Sequence, residues 1–404
     1  VDALAQAKAN FLSVVNHPYP QGLTVSDWWT ERKTKFAKAI SDFESVGAVI
    51  HSAQNNSGFD HRVIKEEKKL AVVNYKLSEL RAQFPGVDLL GSPGLRESSF
   101  SIPESLVPLS ADLNVSSISL THFYFYLRSF CCLPLSGHRR VLEIGTGYGG
   151  LSRIFRLEQR DLTYVLVDLP ESLFCAEVFI RANFPDAKIF YCEFKDCLPD
   201  IDQYDFVFVP AQNVEVLTGL SFNLVINTGS LQEMTESSVF FWMRFIQETI
   251  KTDYFYSWNY FLNPKYLLPE AGPSLISPVL DPRWSVQYFK INNPVISVDC
   301  CERNWLEVCL SRIKLEGFDR LDYTNKLITV ANGFPMATNY WFANIWMAIW
   351  TNPAPGLIEA MLEGIKMFNA NKAFHVMNHL TDENEFSETE FYKKLLDKVK
   401  SENP

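Results

Sequence analysis

The chain has 404 residues, 47% of them hydrophobic and 21% charged, with a formal net charge of -10. This composition supplies an ordinary globular core, and the length fits a central domain of about 200 residues with helical additions. The acidic balance and the lack of any long Lys/Arg run argue against nucleic acid as the main partner, because phosphate recognition needs a basic footprint.

The eight cysteines are scattered, with adjacent pairs at Cys131-Cys132 and Cys300-Cys301 and no CxxC or Cys/His zinc spacing. That distribution fits buried thiols in a reducing compartment better than a disulfide framework. Lys8 and Asn10 interrupt the only early apolar run, so no secretory leader is read there. No stretch is long and apolar enough to span a bilayer, and a cytoplasmic location is expected.

In chain order, Thr24, Ser26 and Asp27 offer capping side chains ahead of Trp28, Trp29, Phe36 and Ile40, which recur at helical spacing. A second helix is expected over residues 62–81, with Val63, Leu70, Val73, Leu77 and Leu80 on one face. Residues 85–108 are rich in Gly, Pro and Ser and read as a linker or cover loop. Residues 116–133 are apolar, aromatic and helical in pattern.

From Arg140 the pattern changes. Val141-Leu142-Glu143-Ile144 is a short apolar strand running into glycines, followed by a helix over 150–159. Further strands are expected at 164–167, 188–191, 206–209, 222–226 and 254–258, with helices at 171–183 and 236–250. Strands alternating with helices predict a doubly wound, mostly parallel α/β sheet. Segments near 285–290 and 305–312 predict a hairpin-type ending without an intervening helix. After residue 314 a helical region is expected. The domains are therefore read as a helical N-terminal part with a linker (1–115), a core (116–314) and a helical C-terminal part (315–404).

Gly145, Gly147 and Gly150 satisfy the dinucleotide pattern GxGxxG, which alone is weak. Glu143, two residues before the first glycine, decides against a dinucleotide. A carboxylate there would repel a pyrophosphate, whereas S-adenosylmethionine carries an ammonium and a sulfonium that an acidic side chain attracts. Asp168 ends the second strand about 20 residues on, where an acid can accept hydrogen bonds from ribose hydroxyls.

Val141 to Gly150, read with Val167-Asp168-Leu169-Pro170-Glu171 and Asn227-Thr228-Gly229-Ser230-Leu231-Gln232-Glu233-Met234, resembles the class I S-adenosylmethionine-dependent methyltransferases. Within them it is similar to the sugar O-methyltransferase family associated with bacterial surface-polysaccharide genes. The resemblance covers about residues 116–263. It implies a Rossmann-like fold, S-adenosylmethionine as donor with S-adenosylhomocysteine as product, and a sugar or glycan acceptor. Carried onto these positions, the donor site comprises Glu143, Gly145, Thr146, Gly147, Tyr148 and Gly149 at the turn, Asp168 and Leu169 after the second strand, and Asn227 and Thr228 after the strand at 222–226.

A neutral sugar hydroxyl is a poor nucleophile, so a base or a metal must help remove its proton. Glu233 is the first candidate base and His122 the second, although a packing role for His122 is favoured. Asn259 is a candidate for orienting the acceptor. His375 and His379 have metal-ligand spacing without a His-Glu-x-x-His pattern, and no divalent metal site is identified. The aromatic block Tyr340, Trp341, Phe342, Trp346 and Trp350 reads first as helical core or subunit interface, and second as a sugar-stacking or membrane-surface patch. A homo-oligomer is compatible with the sequence. The rival readings are a methyltransferase acting on a small-molecule or peptide acceptor, a nicotinamide oxidoreductase, which Glu143 disfavours, and a catalytically silent cofactor-binding module.

Overall fold

The structure, a computed structural model, describes residues 2–56, 66–131, 133, 137–194, 198–260, 284–291 and 305–312. The helical region expected after residue 314, the aromatic block and the His375/His379 pair lie outside the described residues.

The N-terminal part contains α1 (Ala3–Val14), α2 (Asp27–Asp42), α3 (Val46–Asn56) and α4 (Glu66–Gln83). Asp2 starts α1 by accepting the Leu4 N–H at 3.0 Å. Leu4, Ala7, Phe11 and Val14 then form a buried stripe at helical spacing. Ser26 occupies the N-cap of α2 without making a capping bond; its hydroxyl donates instead to the carbonyl of Glu233 at 3.0 Å. The capping residues read from the sequence are thus partly used for docking.

The stretch expected as a linker is shaped by two single 3-10 turns, Pro93–Leu95 and Pro103–Ser105. It leads into a short antiparallel hairpin, β1 (Val107–Ser110) with β2 (Leu113–Val115), which local composition did not announce. Helix α5 (Ser117–Tyr126) opens with a Ser116/Ser119 capping box, and every residue from Ser119 to Tyr126 is buried. A helix apolar all round belongs in a core, not on a surface.

The main sheet has eight strands in the order β5-β6-β4-β3-β7-β8-β10-β9. They are β3 (Arg139–Ile144), β4 (Leu162–Asp168), β5 (Ile189–Tyr191), β6 (Phe206–Pro210), β7 (Ser221–Thr228), β8 (Lys251–Tyr260), β9 (Ser285–Ile291) and β10 (Trp305–Ser311). Strands β3 to β8 pair in parallel, with Val141 facing Tyr164 in β4 and Leu224 in β7, Tyr164 facing Phe206, and Leu224 facing Tyr254. Covered on both faces, they read as continuous apolar runs. Three helices connect them: α6 (Gly150–Glu158), α7 (Pro170–Asn183) and α8 (Glu236–Arg244). The expected doubly wound, mostly parallel α/β sheet is therefore present.

After β3 the chain winds first through β4 to one side and later through β7 to the other. The order reverses at β3, and in such sheets the ligand crevice opens beyond the carboxyl ends of the strands at that point.

Two compact units divide the chain. The first includes residues 1–259 and 288–309. In it, the buried carboxylate of Glu307 on β10 accepts the phenolic hydroxyls of Tyr124 and Tyr256, each at 2.8 Å, joining α5 and β8. The described part of the second unit is residues 260, 284–287 and 310–312, where the Arg312 guanidinium lies 5.0 Å from the centre of the Trp284 ring.

Candidate functional site

The glycine turn leaves β3 at Gly145 and enters α6 at Gly150. Gly145, Gly147 and Gly149 have φ of 80°, 56° and 85°, the left-handed region that a side chain disfavours. Space adds a second constraint at Gly145, where a Cβ would stand 2.1 Å from the Ser230 hydroxyl.

Three backbone N–H groups of the turn are already engaged. Gly145 donates to the carbonyl of Val167 at 2.8 Å, Gly149 to that of Thr146 at 3.1 Å, and Gly147 to the Asp168 carboxylate at 2.9 Å. A pyrophosphate-binding turn needs such donors pointing outward. Here the donors of Gly145, Gly147 and Gly149 are spent within the protein, and the carboxylates of Glu143 and Asp168 stand at the turn.

Glu143 is 2% exposed, and its Oε2 accepts hydrogen bonds from Thr146 Oγ1 at 3.0 Å and the Tyr164 hydroxyl at 2.9 Å. Burial pushes its carboxyl up to about 8 against the pull of those two donors. Asp168 Oδ1 accepts the N–H of Leu169 at 2.7 Å while Oδ2 holds Gly147. Burial raises its carboxyl to about 6, and hydrogen bonds from the Gly147 and Leu169 backbones and the Ser172 side chain oppose the rise. Of its roughly four acceptor positions, one remains for a further donor.

Asn227 and Asn259 form one buried latch at the exits of β7 and β8. Asn227 Nδ2 donates to the carbonyl of Ile144 at 2.8 Å and to Ser230 Oγ at 2.7 Å. Its Oδ1 accepts from Asn259 Nδ2 at 2.9 Å, while Asn259 Oδ1 accepts the Leu231 N–H at 3.1 Å. Asn259 is 0% exposed, so its side chain ties β8 to the turn after β7. Thr228 is buried at the end of β7. His122 is buried, with its ring centre 5.9 Å from that of Tyr148. A Cβ on Gly150 would stand 2.6 Å from the imidazole, so the glycine admits this approach. Tyr148 in turn packs edge-on against Phe179 at 5.3 Å.

Glu233 is half-buried on the 3-10 turn Leu231–Glu233, and its Oε2 accepts the indole N–H of Trp29 at 3.1 Å. The structure thus gathers the sequence-read residues into neighbouring groups along the strand exits: Glu143 with Thr146, Asp168 with Gly147 and Leu169, Asn227 with Asn259, and Glu233 after β7. Among the described residues, no group of three or more His, Cys, Asp or Glu side chains is placed to hold a metal ion. Among those same residues, no helix is long and apolar enough to cross a membrane.

Sequence reasoning missed Tyr164, Trp29 and Gln212. Gln212 stands in the 3-10 segment Ala211–Leu217 just after β6. It is fully buried, and neither of its amide atoms has a hydrogen-bond partner among the described residues. An orphaned buried amide is costly, and a ligand edge offering both a donor and an acceptor would satisfy it. Spacing carries no signal for such a residue; its meaning comes from β6 lying beside β4, with Asp168 opposite Pro210.

No protein-family model matches the chain, and no curated protein sequence matches it. Parts of it are similar to solved structures. A Thermoplasma acidophilum protein is 14% identical at a TM-score of 0.31, covering 49% of this chain and 91% of that one. The N-terminal domain of EvdMO1, solved with SAH bound, is 12% identical at 0.31, covering 48% and 80%. An S-adenosylmethionine-dependent methyltransferase from Mesorhizobium loti is 12% identical at 0.31, covering 47% and 97%. The fold assignment rests on the strand order and registers of the chain itself.

Proposed function

We propose that the chain is an S-adenosylmethionine-dependent methyltransferase whose acceptor is a sugar hydroxyl in glycan or surface-polysaccharide biosynthesis. One observation carries the donor reading: the glycine turn spends the N–H groups of Gly145, Gly147 and Gly149 internally and lies between the buried carboxylate of Glu143 and the half-buried one of Asp168. That cradle suits a cationic, phosphate-free ligand and opposes a pyrophosphate. When bound, the donor supplies a methyl group made electrophilic by its sulfonium.

The residues of the chain bind and orient. Asp168 offers its remaining acceptor position to a ribose hydroxyl. Glu143 supplies negative charge to an ammonium, and the Gln212 amide offers a donor and an acceptor to a heteroaromatic edge. Glu233, oriented by Trp29, is the candidate to take the proton of the acceptor hydroxyl. Holding the reacting groups in line away from water provides most of the remaining acceleration. The sugar assignment is supported by the likeness of the Asn227 to Met234 segment and by the polar side chains of Ser230, Gln232 and Glu233 beyond β7.

Two measurements test this. Calorimetry should give binding of S-adenosylhomocysteine and none of NAD; the reverse result overturns the reading. Incubation with labelled donor and separate panels of nucleotide sugars, glycans, peptides and small aromatics should label a sugar. Label confined to peptides or aromatics would retain the methyltransferase and remove the sugar.

A further inference from the structure

The segment between α1 and α2 crosses the exits of the strands. His17 Nδ1 lies 3.4 Å from Asn213 Oδ1, just after β6. Lys33 donates to the Tyr19 hydroxyl at 2.7 Å and sits 3.8 Å from Glu171, in the first turn of α7 after β4. Lys33 thus holds the Tyr19 phenol near Glu171, three residues after Asp168, and burial with the Glu171 and Asp168 carboxylates raises that phenol.

At the far end, Ser26 donates to the Glu233 carbonyl after β7. The Thr24 N–H donates to Ser238 Oγ at 2.8 Å, and that hydroxyl donates back to the Thr24 carbonyl at 2.6 Å. In the sheet order β6-β4-β3-β7, these contacts run from one side of the glycine turn to the other.

Two of the fastenings, from the Thr24 hydroxyl to Thr235 and Ser237, are exposed side-chain hydrogen bonds of the kind that opens at low cost. Four strands set about 4.8 Å apart span roughly 14 Å, whereas the peptide steps from His17 to Ser26 can reach about 30 Å. The segment has slack to lift without moving α1 or α2. Pro20 to Leu23 forms a tight turn, with the Leu23 N–H on the Pro20 carbonyl at 3.1 Å and Gly22 at φ 90°.

We infer that residues 17–26 form a strap fastened on both sides of the donor crevice, and that it must release at the Thr24–Ser26 end before a donor can enter or leave, with Tyr19 as the outer wall of the closed site. This inference rests on the methyltransferase reading. It does not need the acceptor.

The test uses S-adenosylhomocysteine and the full chain, with association and dissociation followed by stopped-flow fluorescence. The Thr24 and Ser238 hydroxyl oxygens are 3.5 Å apart, so Thr24→Cys/Ser238→Cys pairs two side chains already in contact. With the cross-link formed, both rates should fall at least tenfold while Kd changes less than threefold, and reductant should restore them. Thr24→Ala/Ser26→Ala needs no cross-link and should raise both rates several-fold. Unchanged rates in the cross-linked protein, or in the alanine variant if the disulfide does not form, overturn the strap. Failure of the wild type to bind S-adenosylhomocysteine at all overturns the methyltransferase reading instead.

Discussion

The carboxylate of Asp168, at the end of β4, holds the backbone N–H of Gly147 at 2.9 Å across the crevice from β3. One side chain thereby shapes the glycine turn and, on the proposed reading, also accepts from the donor ribose. Asp168→Ala should lower S-adenosylhomocysteine affinity by at least tenfold, since hydrogen bonds to a charged group are each worth roughly 1.5–3 kcal/mol. Loss of the Gly147 and Leu169 acceptors should also lower the melting temperature by several degrees. Calorimetry and thermal unfolding read the two effects separately. Unchanged affinity in a folded variant would leave Asp168 as a turn fastener only.

On the proposed donor reading, Glu143 should make binding depend on pH. Burial raises its carboxyl to about 8 from the ordinary 4.5, so the ligand-free fold holds a proton there at neutral pH. The folded state binds more protons than the unfolded chain between those values, so the contribution of this group to stability falls as pH rises through that window. A cationic ligand favours the ionised form and expels the proton. Affinity for S-adenosylhomocysteine should therefore climb between pH 6 and 8, by up to about tenfold per unit, with proton release visible in buffers of different ionisation enthalpy. Glu143→Gln should bind more weakly and without that slope. A wild-type affinity independent of pH would remove Glu143 from ammonium recognition.

Gly145→Ala places a methyl group 2.1 Å from Ser230 Oγ at a φ of 80°. The left-handed conformation alone costs about 1–2 kcal/mol with a side chain. Displacing Ser230 further breaks its bond with Asn227. The variant should melt several degrees lower and lose most S-adenosylhomocysteine binding. Adding Ser230→Gly should recover part of the stability, because it relieves the contact and leaves the φ.

Asn259→Ala removes the acceptor of the Leu231 N–H and the donor to Asn227, both buried. Orphaning buried polar groups costs about 1–3 kcal/mol each, so unfolding free energy should fall by roughly 2–4 kcal/mol. Denaturant titration measures it. Unchanged stability with a raised acceptor KM would return Asn259 to the acceptor-orienting role.

Glu233→Gln keeps an oxygen to accept the Trp29 indole N–H and removes proton acceptance. If Glu233 is the base, single-turnover rates should drop by about 10²–10⁴ with little change in S-adenosylhomocysteine affinity. Turnover within a few fold of wild type would assign it to orientation or to docking α2.

The doubly wound sheet was legible in the sequence because buried parallel strands are written as short apolar runs, and a strand that must turn at once into a helix is written in glycines. Glu143, Gly145 and Asp168 could be named before any coordinates, since their spacing places them at adjacent strand exits by topology alone. What those side chains do next was decided by the tertiary structure. Tyr164 is one apolar-strand residue among many until parallel pairing brings its hydroxyl to Glu143 at 2.9 Å. Asn259 reads as a turn residue until Asn227 and Leu231, 32 and 28 positions away, consume its amide. Trp29 and Tyr19 carry no motif, and meet Glu233 and the surroundings of Asp168 only because α1 and α2, well over a hundred residues upstream, pack against α7. Periodicity records which face of an element is buried; it holds no record of which distant hydrogen-bonding group meets a polar side chain once the layers have packed.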